Sequence, residues 1–159
     1  MNIAIFDLDG TLADSWHRRG HLRKKPPDWD AFNDECHKDP PFPLTTIVRL
    51  LRDAGWTIKF VTTRPDRLRD KTVQWLYDNR LLDDDNWSRW GELSMYDNVD
   101  DQHHKYAKQW KVHTIERLVK DATDVLVFDD QPEIISAMRN RKIPVVPIFS
   151  GYYSWEVRA

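Results

Sequence analysis

Asn2-Ile3-Ala4-Ile5-Phe6-Asp7-Leu8-Asp9-Gly10-Thr11 is an apolar run that ends abruptly in two carboxylates and a glycine. A short run rich in β-branched and aromatic residues reads as a strand buried on both faces. Its polar end then lies at the carboxyl edge of a sheet, where open α/β folds bind their ligands. Gly10 lets the chain bend there. The pattern recurs. Residues 57–61 run into Thr62-Thr63-Arg64, and residues 125–128 run into Asp129-Asp130. A fourth run, 144–149, contains two prolines and is expected at a sheet edge.

Helical periodicity fills the gaps between these runs. Leu44, Ile47, Val48 and Leu51 stand at i, i+3, i+4 and i+7, with Gly55 as the stop, so a helix is predicted over 44–54. Val73, Leu76 and Tyr77 predict one over 66–79. Val112, Ile115 and Val119 predict another over 106–119, and Pro132 opens a last one over 132–141. Alternating strands and helices give an α/β fold, a three-layer sandwich around a mainly parallel, Rossmann-like sheet. Two stretches stand outside the alternation. Residues 12–42 carry His17, Arg18, Arg19, His21, Arg23, Lys24 and Lys25, then Pro26-Pro27 and a short helix from Asp28; they read as an insert or minimal cap after the first strand. Residues 81–104, with Asp83-Asp84-Asp85, Trp87 and Trp90, offer only a short strand at Leu93–Tyr96.

The chain of 159 residues, 40% of them hydrophobic, suits one domain over 1–159 with a sizeable core. Its 24 Lys and Arg against 26 Asp and Glu exclude a body that wraps nucleic acid by bulk charge, though not a local basic patch. The lone Cys36 excludes an internal disulfide framework and suggests a reducing compartment. No apolar run approaches the roughly 20 residues that span a bilayer, and no secretory signal opens the chain. A cytoplasmic protein without membrane association is expected.

Chemistry gathers where the runs end. Asp7, Asp9, Asp129 and Asp130 converge on one sheet edge, and carboxylates packed this closely repel unless a cation compensates them. Oxygen ligands of this kind point to a hard divalent ion, magnesium. Beside such an ion one free carboxylate can attack a phosphoryl group, and a second, two residues on, can move the protons. Thr62 offers a hydroxyl to phosphate and Arg64 a forked cation. Lys108 precedes Val112 by four residues and Lys111 precedes Ile115 by four, so periodicity leaves two candidates for a lysine beside the sheet.

Asp7-Leu8-Asp9-Gly10-Thr11, Thr62, a helical lysine and Asp129-Asp130, in that order, resemble the haloacid dehalogenase-like phosphatases. The nearest resemblance is to the 3'-phosphatase domain of bacteriophage polynucleotide kinases and its stand-alone relatives. It extends to Asp28-Trp29-Asp30-Ala31-Phe32 and Cys36, and to Thr62-Thr63-Arg64 in the place of Ser-Gly-Arg. The resemblance implies Asp7 as nucleophile, Asp9 as general acid and base, Thr62 as phosphate binder and Lys111 as the active-site lysine. It puts Asp7, Asp9, Asp129 and Asp130 around Mg2+. Thr63, Arg64, Gly10 and Arg18 are the candidate substrate contacts, and the implied substrate is a phosphorylated nucleic acid end. Two departures stand out: Tyr96 and Gln131 occupy positions where the family carries arginines. A GxxxxGK[ST] loop is absent, so no ATP-dependent kinase chemistry is expected.

Other readings are weighed on the same residues. A receiver domain also gathers acids, a threonine and a lysine, but it needs its acidic pair early and its phosphoacceptor later, the reverse of the order here. Free nucleotides are the alternative substrate, and a catalytically idle module that binds nucleic acid ends is an alternative of another class. Trp56, Trp75 and Trp110 read as packing residues, whereas Trp16 and Trp29 flank the basic insert and could meet a base. His103-His104 is expected at the surface, and Cys36 as a packed small side chain.

Overall fold

Ile3, Ala4, Ile5 and Phe6 align with Thr57, Ile58, Lys59 and Phe60 on one side and with Val125, Leu126, Val127 and Phe128 on the other, all in parallel register. The first strand, β1 (Asn2–Phe6), is therefore the middle of the sheet. Around it stand β2 (Thr57–Pro65), β3 (Leu93–Tyr96), β4 (Asp124–Asp129) and β5 (Val145–Pro147), in the order β3-β2-β1-β4-β5. The computed structural model describes residues 1–82, 93–97 and 103–153, and residues 103–105 in backbone only. Asp83-Asp84-Asp85, Trp87, Trp90 and the side chains of His103-His104 thus lie outside the described residues.

Two apolar layers sandwich the sheet, because successive side chains of a buried strand alternate between its faces. Ile3 and Ile5 pack with Val61 and Val127 under Val112 and Ile115 of α4 (His103–Val119) and Ile134 and Met138 of α5 (Pro132–Asn140). Ala4 and Phe6 turn the other way, to Ile58, Phe60 and Phe128. They are covered by Val48 of α2 (Thr45–Asp53) and by Trp75 and Leu76 of α3 (Arg69–Asp78). The α/β sandwich expected from the alternation is the one observed. β5 is a short edge strand, as its prolines require. Trp56 and Trp110 pack against these two layers, as expected of structural residues.

One local reading differs. Thr62-Thr63-Arg64 was expected as the polar turn after the second run, yet β2 continues through Pro65. Pairing with β3 carries it onward: Thr62 aligns with Met95 and, after a register shift, Pro65 aligns with Tyr96. The shift carries Thr62, Thr63 and Arg64 to the carboxyl edge as part of the sheet.

The insert is tied off at its base. The backbone N–H of Phe42 donates to the Leu12 carbonyl and that of Asp14 to the Pro40 carbonyl, both at 2.8 Å. Between these ties come a 3₁₀ turn (Trp16–Arg23), α1 (Trp29–Asp34) and a second 3₁₀ turn (Cys36–Lys38). Asp28 caps α1, accepting from the Ala31 N–H at 3.0 Å. Among the described residues, no helix is long and apolar enough to cross a membrane.

Candidate active site

Asp7 follows β1, Asp129 ends β4 and Asp130 comes next, so neighbouring parallel strands deliver three carboxylates to one point. Their oxygens lie within 4.8 Å of one another, and all three residues are buried. Lys111 reaches them from α4, with Nζ 2.6 Å from Asp7 Oδ1 and 2.7 Å from Asp129 Oδ2. Ala107, Lys111, Thr114 and Ile115 form the buried stripe of α4 at i, i+4, i+7 and i+8, which sets Lys111 over the sheet. Lys108 falls off that stripe and pairs with Glu133 at the surface, Nζ to Oε1 at 2.5 Å. Gly10 makes room for the cluster. Its φ is +86°, and a Cβ there would lie 2.1 Å from Asp130 Oδ2.

Electrostatics sets the character of this cluster. Burial raises the Asp7 carboxyl to about 7; Lys111 opposes the rise and Asp129 adds to it. Asp130 is pushed up to about 9 by burial and then by Asp7 and Asp129, with the Ser150 hydroxyl and Lys111 pulling more weakly the other way. Burial disfavours the Lys111 ammonium, yet Asp129 and Asp7 hold its pKa well above the ordinary lysine value. One ammonium cannot balance three carboxylates. Among the described residues neither Asp130 oxygen accepts a hydrogen bond of good geometry. A compact set of buried, under-compensated oxygens fits a hard divalent cation such as magnesium, and Asp7, Asp129 and Asp130 are the residues that could hold it.

The Asp9 side chain stands apart from this trio, although it was expected among the metal carboxylates. Oδ1 accepts from Arg18 Nη2 at 2.5 Å and from Arg64 Nη2 at 2.6 Å, and Arg64 Nε lies 3.2 Å from both oxygens. Burial disfavours the Asp9 anion, but the two guanidiniums outweigh it and hold its pKa well below the usual carboxylate range. Behind them sits Asp39, which accepts from Arg18 Nε at 2.8 Å, Arg18 Nη2 at 2.5 Å and Arg64 Nη2 at 3.2 Å. Trp75 Nε1 donates to the Asp39 carbonyl at 2.8 Å and fixes that segment from α3.

Arg18, expected as a substrate contact in an exposed basic run, is fully buried. The Trp16–Arg23 turn folds it inward, where it donates to Asp9, Asp39 and the Phe32 carbonyl and lies 4.1 Å over the Phe32 ring. Asp39 was not foreseen. The Lys38-Asp39-Pro40 segment matches no motif, and its only signal was the need of two buried cations for a second anion.

Thr62 is buried at the same edge, and its hydroxyl accepts from the Arg64 backbone N–H at 3.2 Å. Asp9, Thr63, Arg64, Lys108, Gln131 and Trp29 are among the residues that line a cavity of about 340 Å³, within the range of small-molecule sites. Gln131 also donates its backbone N–H to Asp129 Oδ1 at 2.9 Å. Tyr96 is buried against Trp110, ring centroids 5.4 Å apart.

The sequence profile of the polynucleotide kinase PNKP phosphatase domain matches residues 1–153. The chain belongs to this family. It is a haloacid dehalogenase-type phosphatase domain, a phosphoric monoester hydrolase. Solved structures of similar fold include a chain of the Pnkp1/Rnl/Hen1 RNA repair complex, with TM-score 0.65 and 17% identity over 92% of this chain. The match covers 42% of that longer chain. The class C acid phosphatase from Bacillus anthracis has TM-score 0.61 and 14% identity, over 92% of this chain and 66% of that one. A hydrolase from Streptococcus pneumoniae TIGR4 has TM-score 0.53 and 12% identity, over 93% and 92%. At these identities the three share the phosphatase domain's fold. No curated protein matches the sequence.

Proposed function

We propose that this phosphatase domain is magnesium-dependent, carries the phosphoryl group on Asp7 during turnover and removes terminal 3'-phosphates from nucleic acid. The observation that carries the chemistry is the buried trio Asp7, Asp129 and Asp130 against the single ammonium of Lys111. Magnesium bound there supplies positive charge to the transferring phosphoryl oxygens.

An oxygen of Asp7 attacks phosphorus while the bond to the leaving alcohol oxygen breaks, and Asp9 gives that alcohol its proton. Water then attacks the phosphorus on Asp7, returns a proton to Asp9 and releases inorganic phosphate with the Asp7 carboxylate restored. Lys111 orients Asp7 through Oδ1, and Thr62, already an acceptor towards Arg64, donates its own hydroxyl proton to a phosphoryl oxygen. The arginine clamp suits Asp9 as the base of the second step. For the first step Asp9 must carry a proton, and an incoming phosphate dianion that competes for Arg64 loosens the clamp enough to let it do so.

A nucleic acid substrate is supported by the family's description as a polynucleotide kinase phosphatase domain and by the structural neighbour in an RNA repair complex, and the 3' position by the resemblance of the motifs to the 3'-phosphatase domain of bacteriophage polynucleotide kinases. Free nucleotides are the second reading, favoured by the cavity of about 340 Å³, which suits a small substrate. The test is phosphate release with magnesium from 3'-phosphorylated oligonucleotides, 5'-phosphorylated oligonucleotides and mononucleotides. The first should give the highest kcat/KM; a preference for mononucleotides would move the assignment to the second reading.

A further inference from the structure

Beside the cavity that holds Asp9 and Thr63 lies a second, more open one of about 440 Å³. The two share Arg19, Leu22, Tyr152 and Tyr153 as a common wall, and beyond it Trp16 and Arg23 line the second space. Trp16 is 54% exposed, an uncommon place for a ring that is highly buried on average. Its ring stacks on Tyr152 at a centroid distance of 6.0 Å. Tyr152 is fixed in turn, its hydroxyl donating to Asp14 Oδ1 at 2.7 Å. Arg19 lies 4.4 Å over the Tyr152 ring and Arg23 lies 5.7 Å over Trp16. The order Arg23, Trp16, Tyr152, Arg19 therefore sets two stacked rings between two cations, along one groove beside the catalytic cavity.

Each part of that ladder suits a polyanion with flat bases. A guanidinium laid over a ring keeps its N–H donors in its own plane, directed sideways, where they can take phosphate oxygens. The half-exposed indole of Trp16 offers a face on which any base can stack once Arg23, 5.7 Å from the ring, turns to a phosphate. Trp16 and Arg23 line only the second space, so neither is placed to hold a small phosphomonoester in the first cavity.

We infer that this groove is a strand subsite: the unpaired base next to the phosphorylated terminal nucleotide stacks on Trp16, and the backbone phosphates beside it meet Arg19 and Arg23. This rests on the reading of the first cavity as the place of a 3'-phosphorylated end. Its consequence is a preference for single-stranded ends, because a base inside a duplex is already stacked and paired and cannot enter the groove without first being unstacked.

Two measurements test it, each on the parent, Trp16→Ala and Trp16→Phe, with folding checked by thermal melting. The first is the ratio of kcat/KM for a dinucleotide with a 3'-phosphate to that for the matching nucleoside 3'-phosphate. The parent should favour the dinucleotide, Trp16→Ala should lose about 5- to 150-fold of that advantage, and Trp16→Phe should keep most of it. A ratio unchanged by Trp16→Ala overturns the inference. The second is fluorescence anisotropy of a labelled single strand without any terminal phosphate, which reports the groove without turnover. Weaker binding by Trp16→Ala supports the subsite even if no phosphate is released from any nucleic acid, the outcome in which the substrate reading alone fails. No strand binding by the parent, or a Trp16-dependent dimer by light scattering in its place, overturns the subsite.

Discussion

Lys111 and Asp7 meet across 104 residues of sequence, ammonium nitrogen to carboxylate oxygen at 2.6 Å, and both are almost wholly removed from water. The pair does not balance its surroundings, since Asp129 shares the same ammonium at 2.7 Å and Asp130 adds a third carboxyl. Removing one partner from a buried ion pair leaves an uncompensated charge, which costs about 3–5 kcal/mol. Lys111→Met should therefore lower the unfolding free energy of chelator-treated protein, measured by urea titration, by an amount of that order, and magnesium should recover part of the loss. An unchanged unfolding free energy would mean that the ammonium does not balance the trio.

The same imbalance predicts how stability follows pH. Asp7 is raised to about 7 and Asp130 to about 9 by burial and mutual repulsion, against about 3.9 for an unfolded aspartate. A carboxyl whose folded pKa is raised binds more protons folded than unfolded, so its contribution falls as pH rises between those values. From pH 5 to 9 these two groups should lower the melting temperature of metal-free protein. A divalent cation competes with the protons, so the gap between magnesium-loaded and chelated protein should widen over the same window. Melting curves in both conditions check this, and a gap that is constant with pH would count against ligation by these carboxylates.

Substitution at the two carboxylates of the first turn separates their proposed roles. Asp7→Asn removes the attacking oxygen at nearly constant size and should abolish phosphate release from a folded protein. Asp9→Asn should slow turnover by a factor of about 10² to 10⁴, the usual worth of a positioned proton carrier. Quenched-flow measurement should find protein-bound phosphate in neither the first variant nor a mock reaction. Normal release by Asp7→Asn would end the covalent mechanism.

The sheet and the trio were legible in the sequence because they are local. Three apolar runs, each ending in polar residues, give the middle strands, and parallel pairing then brings their carboxyl ends together without further information. Lys111 was half legible: the stripe Val112, Ile115 and Val119 showed the face of α4, but it needed the fourfold step from Ala107 to separate it from Lys108. The clamp on Asp9 was not legible. Arg18, Asp39 and Arg64 come from the insert and from β2, and nothing periodic links positions 21 and 25 residues apart. Charge patterning even pointed the wrong way for Arg18, because a basic run reads as solvated until two buried anions are found to draw one member inward.

Asp39 is where that clamp can be tested. Asp39→Asn keeps an acceptor for Arg18 but removes the anion behind both guanidiniums. Arg18 and Arg64 then have only Asp9 to neutralise them, hold it more tightly and make it a poorer proton donor. We expect kcat/KM to fall more for an ordinary alcohol leaving group than for an activated one, which needs little protonation, and the unfolding free energy measured in urea to drop by about 3 kcal/mol. Equal loss with activated and ordinary leaving groups would make Asp39 a purely structural residue.

The exposed remainder of the basic run makes a prediction about salt. Each strand phosphate that a cation neutralises releases counterions, with a slope of roughly −0.7 per contact in log affinity against log salt for single strands. Arg18 cannot contribute, since it is buried and already balanced by Asp9 and Asp39. Lys24 is paired with Asp28, Nζ to Oδ2 at 2.8 Å, so its release to a phosphate gains less than that of Lys25, which makes no ion pair among the described residues. The double variant Lys24→Ala/Lys25→Ala should thus flatten the salt slope of oligonucleotide kcat/KM by nearer one contact than two. The slope for a mononucleotide should be shallow in both proteins, because neither Lys24 nor Lys25 lines the catalytic cavity. Equal, shallow slopes for both substrates in the parent would show that these lysines only solvate the face, and would favour a nucleotide over a strand as the substrate.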